Sequence, residues 1–306
     1  MANNTRLYWL HALTPLHVGA GRGLGYIDLP IMREKVTNWP LVPGSTVKGV
    51  IADHHNATEK KRLDDHLYRA AFGIADPGER SEGGSNSGSL VFTDARLVCL
   101  PVRSLYGTFA WCSSPMALRR LYRDIEAAGK EDEELQAPID PADDHVHLPL
   151  VAGSELTDGQ DRVFFEDLDF RARDCPVTKA WSSKLSQWLF TDADWQKIFE
   201  ARFAVVPDNV FNFLCETGTE VAARVRINEE TKTVKSGALW YEEALPAESI
   251  LCGLVWCDRV FGSNGGQIPA PIDLLDRFCS TVEKPPLQIG GKATVGRGQV
   301  RCVFCA

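Results

Sequence analysis

The segment GAGRGLGYIDLPIMRE (19–34) places the carboxylate of Asp28 behind four glycines, with Arg22 before it and Arg33, Glu34 and Lys35 after it. A carboxylate can accept a proton from a nucleophile, and neighbouring bases can draw in a phosphate. The same residues also read as a turn, because loop aspartates usually accept from their own backbone. Gly19-x-Gly21 lacks the strand–helix setting and distant acid of a dinucleotide fingerprint. A second stretch, LQIGGKATVGRGQVR (287–301), carries Gly290, Gly291, Gly296 and Gly298 with Lys292, Arg297 and Arg301. Such glycines let backbone N–H groups approach an anion, although no G-x-x-x-x-G-K-S/T is present. In PGSTVKGV (43–50), Ser45 is positioned as an N-cap, with Lys48 one turn into the helix. There a lysine either faces solvent or joins the helix N-terminus in holding phosphate.

The other polar and aromatic candidates stay open between chemistry and packing. His17 can serve as a general base or sit hydrogen-bonded in a core. Trp240 and Tyr241 can stack on a base or anchor a core. His54 and His55 read as exposed helix positions, and His145 and His147 lie in an acidic stretch. No H-x-x-x-H or His–Cys spacing points to a transition metal, and Cys302-x-x-Cys305 lacks the second pair of a zinc site.

These residues need a scaffold, and 306 residues allow one elaborated domain or two smaller ones. No apolar run approaches the roughly 20 residues of a membrane span. MANNTRLYWLHALTP carries no secretory pattern, and nine cysteines, mostly in apolar runs, read as reduced thiols in a cytoplasm. The net charge of −8 disfavours an anionic partner only until it is mapped. Residues 131–175 hold fourteen acids against three arginines, −11, so the remainder sums to +3. Residues 1–50 are +3, as are residues 285–306, which contain no acid. Screening over about 8–10 Å lets such basic ends act apart from the acidic middle.

The spacing predicts a strand at 5–13, a helix within 41–56 with Val47, Val50 and Ile51 on one face, and a helix at 59–73 ending at Gly73. A flexible loop follows at 80–89, then an extended segment at 89–102. The middle predicts a Ser-Pro-capped helix at 114–136, a hairpin near 156–165, a helix at 191–204 and a long hairpin at 220–246 turning near 230–232. A strand at 248–258, a helix at 271–283 and a strand at 298–304 complete the chain. Strand, helix, strand, insertion, strand, helix, strand is the split β-α-β order of a ferredoxin-like α+β domain. Its first and last-but-one strands lie centrally, which would bring the basic ends together.

In combination, T-P-x-H-x-G-x-G, I-D-x-P-I-x-R-E, W-P-x-x-P-G-S-x-x-K-G-V, L-x-x-P-V-R-S-L-x-G-x-x-A-W-x-x-S-P, E-V-A-A-R-V-R-I-N-x-E-T-x-T-V-x-x-G-A-L-W-Y-E-E and L-Q-I-G-G-x-x-T-V-G-x-G run nearly end to end. This chain resembles the filament-forming backbone RAMP subunits of type III-B CRISPR–Cas (Cmr) effector complexes. The resemblance implies an RRM-like palm, from about 1–102 and 246–306, with finger and thumb insertions at about 103–245. The thumb hairpin is placed near 219–241, with 153–175 as the competing segment. The acidity of 131–175 and the Ser-Gly loop depart from the pattern, and the acidic stretch suits a protein-facing surface.

The same resemblance implies that copies stack in a filament along CRISPR RNA, beside other complex subunits including a large polymerase-like one, with no membrane. Target RNA would be cut at intervals of about six nucleotides, as the thumb flips one base pair per repeat. The catalytic aspartate maps onto Asp28. Guide-RNA contacts map onto Lys48 and the glycine loop Gly290–Gly298. Arg22, Arg33, Ser45, Lys292, Arg297 and Trp240 complete the expected RNA-binding set. A weakly bound Mg²⁺ or Mn²⁺ is the expected cofactor, its ligands left open. Two rivals stand beside this reading: a non-catalytic guide-binding scaffold, and a precursor-processing endoribonuclease using His17.

Overall fold

The computed structural model describes residues 4–21, 23, 25–55, 66–74, 86–130, 135, 147–261 and 268–305. Its backbone is a twelve-stranded sheet, supplemented by two two-stranded ones. The strands are β1 (Thr5–Ala12), β2 (Leu41–Val42), β3 (Gly73–Ile74), β4 (Asn86–Ser87), β5 (Val91–Phe92), β6 (Ala95–Arg103), β7 (Phe109–Ser113), β8 (His147–Leu150), β9 (Arg162–Phe165) and β10 (Leu168–Asp174). They continue with β11 (Phe203–Val205), β12 (Glu220–Ile227), β13 (Val234–Ala244), β14 (Ile250–Trp256), β15 (Val282–Gln288) and β16 (Gln299–Cys305). The helices are α1 (Gly44–His54), α2 (His66–Phe72), α3 (Pro115–Ala127), α4 (Pro176–Leu189), α5 (Ala193–Ala201), α6 (Asp208–Thr217) and α7 (Pro271–Phe278).

The palm lies in the run β16-β1-β14-β6, antiparallel throughout. Helices α1 and α7 make its two crossovers, so the ferredoxin-like order expected from sequence is present, with β1 and β14 central. The sheet continues from β6 through β7, β11, β8 and β10 to β9. Both faces of the palm are covered. Tyr8, Leu10 and Ala12 of β1 pack on one side with Val47 and Ile51 of α1 and Leu274, Leu275 and Phe278 of α7. Leu7 and Trp9 face the other, against Leu118 and Leu121 of α3 and Trp181 and Leu185 of α4. The period-2 alternation of β1 therefore divides two cores rather than a core and a solvent face.

Several boundaries differ from the sequence reading. Helix α3 has the expected Ser114 cap, which accepts from the Ala117 N–H, but it stops at Ala127 instead of running to 136. Gly129 ends it at φ 71°, the left-handed turn that glycine takes without strain. The hairpin expected near 156–165 is present as a short one, closed by an antiparallel bridge between Thr157 and Val163, and β9 then pairs with β10 through a second turn at Glu166 and Asp167. Helix α7 ends at Phe278, and the rest of the expected 271–283 helix yields to edge strand β15, whose Pro285 and Pro286 suit a strand with one unpaired side. Helices α4 and α6 carried no expectation. The first part of the 59–73 helix, residues 80–85 of the Ser-Gly loop and most of 131–146 lie outside the described residues.

Eight of the nine cysteines are buried and all are free. Burial pushes the thiols of Cys215 and Cys279 up to about 12, so they act as apolar filling and not as nucleophiles. Among the described residues no helix is long and apolar enough to cross a membrane.

Candidate functional site

Three segments converge at the C-terminal end of β1. The chain leaving β1 bonds to the one entering β16: the Gln299 N–H donates to Thr14 Oγ1, the Gly298 N–H to the Pro15 carbonyl, and the Gly291 N–H to the His17 carbonyl at 2.9 Å. The third segment is the exit of β13, joined through Leu16 and Leu245, which exchange both backbone hydrogen bonds. The basic ends of the chain thus meet, as the topology requires. Gly290 is obligatory here: its φ is 76°, and a Cβ would stand 2.3 Å from the His17 carbonyl oxygen.

Residues 19–31 form an excursion closed by a bridge between Gly19 and Ile31. Its outgoing limb runs beside β13: the Leu29 N–H donates to the Tyr241 carbonyl and the Glu243 N–H to the Leu29 carbonyl, both 3.0 Å. Asp28 sits where that limb begins, with its side chain exposed. It does not close a turn on itself. Its Oδ2 accepts from the Tyr241 N–H at 2.8 Å, across 213 residues of sequence, and its other oxygen has no hydrogen bond among the described residues.

Hairpin β12–β13 stands outside the main sheet, closed at its tip by Asn228, whose Oδ1 accepts from the N–H groups of Glu230 and Thr231. Its pairing, Ala223 opposite Tyr241 and Val225 opposite Leu239, gives one exposed apolar face that includes Val221. The opposite face carries Arg224, Trp240 and Glu242 toward the glycine loop.

Glu242 and Glu243 fasten the site from behind; each is only 2% exposed. Glu242 accepts from Lys292 Nζ at 2.6 Å, Trp240 Nε1 at 2.7 Å and Arg224 Nε at 3.4 Å. Burial would raise its pKa, but the Lys292 and Trp240 hydrogen bonds and the charges of Lys292 and Arg224 outweigh that and hold it at about 2. Glu243 accepts from the Ile31 N–H at 3.0 Å, Arg33 Nη2 at 2.6 Å and Thr219 Oγ1 at 2.9 Å. Sequence reasoning missed both as anchors; the signal was two acids ending a strand directly before the apolar Ala244-Leu245.

Several candidate residues are differently employed than the sequence suggests. Ser45 is not the N-cap: Pro43 is, and Asp94 Oδ1 accepts from the Gly44 N–H in place of a capping side chain. Lys48 turns its Nζ onto the Leu90 carbonyl at 2.8 Å, and burial lowers its pKa. Arg33 is spent on Glu243 and the carbonyls of Asn38 and Cys215. His17 is buried, its Nδ1 donating to the Glu243 carbonyl at 2.6 Å. His55 is half-buried, bonded to the Phe278 carbonyl, in contrast to exposed His54. Gly290 and Gly291 are exposed. Arg297 is 8% exposed, and its Nη1 has no partner among the described residues. Arg22 lies outside them.

Among the described residues of the excursion, Asp28 is the exposed carboxylate that a metal would meet. No group of three or more His, Cys, Asp or Glu side chains able to hold a metal ion occurs among the described residues. That suits a hydrated Mg²⁺, which keeps several waters and takes one or two carboxylates, and does not suit a two-metal cage.

Comparison with known proteins matches the RAMP superfamily over residues 9–301. The chain is 33% identical over 295 residues to the CRISPR system Cmr endoribonuclease Cmr4 of Pyrococcus furiosus, covering 96% of this chain and 94% of that protein. It is 22% identical to the CRISPR system CMR subunit Cmr4 of Saccharolobus solfataricus, with the same coverage. The crystal structure of oligomeric Cmr4 from Pyrococcus furiosus superposes with a TM-score of 0.70, at 24% identity over 98% of this chain and 97% of that one. The type III-B Cmr-beta complex bound to cognate target RNA contains a chain of the same fold, with a TM-score of 0.70 at 17% identity over 98% and 96% of the two chains. With its ferredoxin-like palm, its converging glycine loops and these matches along nearly its whole length, the chain belongs to the RAMP superfamily and groups with the Cmr4 proteins of the CRISPR Cmr system.

Proposed function

We propose that this chain is a guide-binding backbone subunit that cuts target RNA, with Asp28 as the group that deprotonates the attacking 2′-hydroxyl. The observation that carries the reading is the exposed Asp28 carboxylate, held by the Tyr241 N–H at the base of a free-standing hairpin, where the basic ends of the chain meet. The Pyrococcus furiosus relative is named an endoribonuclease, and its match spans 96% of this chain.

The chemistry needs no nucleotide cofactor. The 2′-oxygen bonds to phosphorus as the P–O5′ bond breaks; Asp28 takes the 2′-hydroxyl proton and water supplies one to the leaving oxygen. The products are a 2′,3′-cyclic phosphate and a 5′-hydroxyl. The three reacting atoms must lie in line, which a regular A-form strand prevents, so the strand has to be splayed at the cut. Hairpin β12–β13 projects from the palm with an apolar face that can enter a base stack, whereas segment 153–175 is built into the main sheet. That difference supports β12–β13 as the thumb. A Mg²⁺ or Mn²⁺ near Asp28 would neutralise phosphate charge when bound. Copies stacked along CRISPR RNA would repeat the cut at a constant interval, within a complex containing further subunits.

The test is Asp28→Asn in the guide-loaded complex. Cleavage should fall by at least about a hundredfold, with target binding intact and product lengths in wild type stepping by a constant increment. Unchanged cleavage would leave a scaffold, with the nuclease elsewhere.

A further inference from the structure

At the base of the hairpin, Glu243 of β13 helps to line a cavity of about 430 Å³. Gly23, Gly25, Tyr26, Ile27 and Pro30 of the Asp28 excursion form one wall, and Asn38 and Glu216 form the other. Arg33 and Glu243 make its floor. The volume falls within the usual range for a small ligand, about 300–1,000 Å³. The floor is satisfied internally, because Arg33 is bonded to Glu243, Asn38 and Cys215, and the Glu243 carboxylate also holds Ile31 and Thr219.

The open edge is different. Glu216 is exposed in the last turn of α6, where a negative charge opposes the helix dipole. It has no ion pair among the described residues, only a long 3.4 Å hydrogen bond from Asn38 Nδ2. Tyr26 stands over the opening, 80% exposed. An aromatic face, apolar walls and an unspent carboxylate beside an amide together suit a flat heterocycle that carries hydrogen-bond donors.

We propose that this cavity is a nucleobase subsite of the RNA-cleaving centre, taking the base of the nucleotide whose 2′-hydroxyl attacks. It rests on the endoribonuclease reading. In-line attack requires a splayed strand, and a base taken out of its stack needs a surface to receive it. Ile27 lines the cavity next to Asp28 in the chain, so a base seated there keeps its own ribose beside the carboxylate. Tyr26 stacks on the base, and Glu216 accepts from its amino group. Adenine, cytosine and guanine fit that edge, whereas uracil presents carbonyl oxygens that flank its one N–H and meet the carboxylate unfavourably.

The test uses the full chain in its guide-loaded complex. The targets carry 2′-deoxy sugars at the attacking positions, so they stay uncut, and one 2-aminopurine walked along the strand. Emission should change at each nucleotide 5′ to a scissile bond, and Tyr26→Ala or Glu216→Gln should abolish that change without loss of binding. Both residues are exposed, so the variants should melt like wild type. On cleavable targets, Glu216→Gln should relax a discrimination against uracil of about tenfold at that position. Emission that matches neighbouring positions, or that neither variant alters, overturns the subsite. Asp28→Asn, read by cleavage alone, judges the endoribonuclease reading separately.

Discussion

Glu243 illustrates how much of the site rests on residues whose polar groups are spent inside the protein. Its buried carboxylate joins the Asp28 excursion, through Ile31 and Arg33, to the start of the hairpin at Thr219. Removing it leaves the Arg33 guanidinium without its charge partner in a largely enclosed position. Glu243→Ala should therefore cost about 3–5 kcal/mol in denaturant unfolding. Glu243→Gln keeps the shape and one acceptor and should cost less, about 1–3 kcal/mol. If the excursion is held by this anchor, both variants should slow cleavage more than they weaken target binding. At this scale the sequence is partly readable. Asp28 stands out because a carboxylate between bases and glycines is uncommon, and its exposure fits. Lys48 and Arg33 do not announce their true partners, since a carbonyl at Leu90 and an acid 210 residues away become neighbours only through the fold.

At the scale of elements, the hairpin and the glycine loop are fastened by Glu242 and Lys292, and α3 is fastened to the segment after the excursion by Glu34 and Arg120. The Arg120 hydrogen bonds outweigh partial burial, and Thr37 adds a second donor, holding Glu34 at about 2. Both carboxyls have folded pKa values below their unfolded ones. Their stabilisation is therefore fully present above about pH 4.5 and is lost as pH falls toward 2. The melting temperature of the chain should drop across that window. Lys292→Met should lower stability at neutral pH and flatten the acid limb, because without that partner burial raises the folded pKa of Glu242 and removes its share of the acid-side loss; an unchanged limb would place the coupling elsewhere. Elements with strong local signals were legible: β1 by its β-formers, α1 by its periodicity, and β12–β13 by alternation around a turn. Helix α4 was not, because its serines and lone lysines blur the apolar stripe that Trp181, Leu185 and Leu189 make only once folded. Strand β15 was obscured by its prolines.

For the whole molecule, the decisive fact is that the palm is covered on both faces. Trp9 is fully buried between β1 and the second helical layer, so Trp9→Ala should cost about 3–5 kcal/mol. An RRM stacks bases on an open sheet; with both faces of this palm covered, the proposed RNA path runs along the rim, where loops from both ends of the chain converge. The charge map from sequence agrees with that, but it counts charges and cannot see which are already spent. By composition, Lys48, Lys292 and Arg297 each would lower the salt slope of RNA binding by about one unit when neutralised. The fold separates them. Arg297, like Arg301, keeps a buried nitrogen without a partner among the described residues, so Arg297→Gln should lower the slope by about one. Lys48 is turned onto Leu90, so Lys48→Gln should change it by less. Arg6 is the second residue of β1, at the far end of the strand, where it binds Asp276 and the carbonyls of Leu275 and Cys279. Arg6→Gln should weaken folding and leave the slope alone. Equal slopes for the Arg297 and Arg6 variants would mean that the two ends of β1 contribute alike, and the rim would lose its claim to the phosphate backbone.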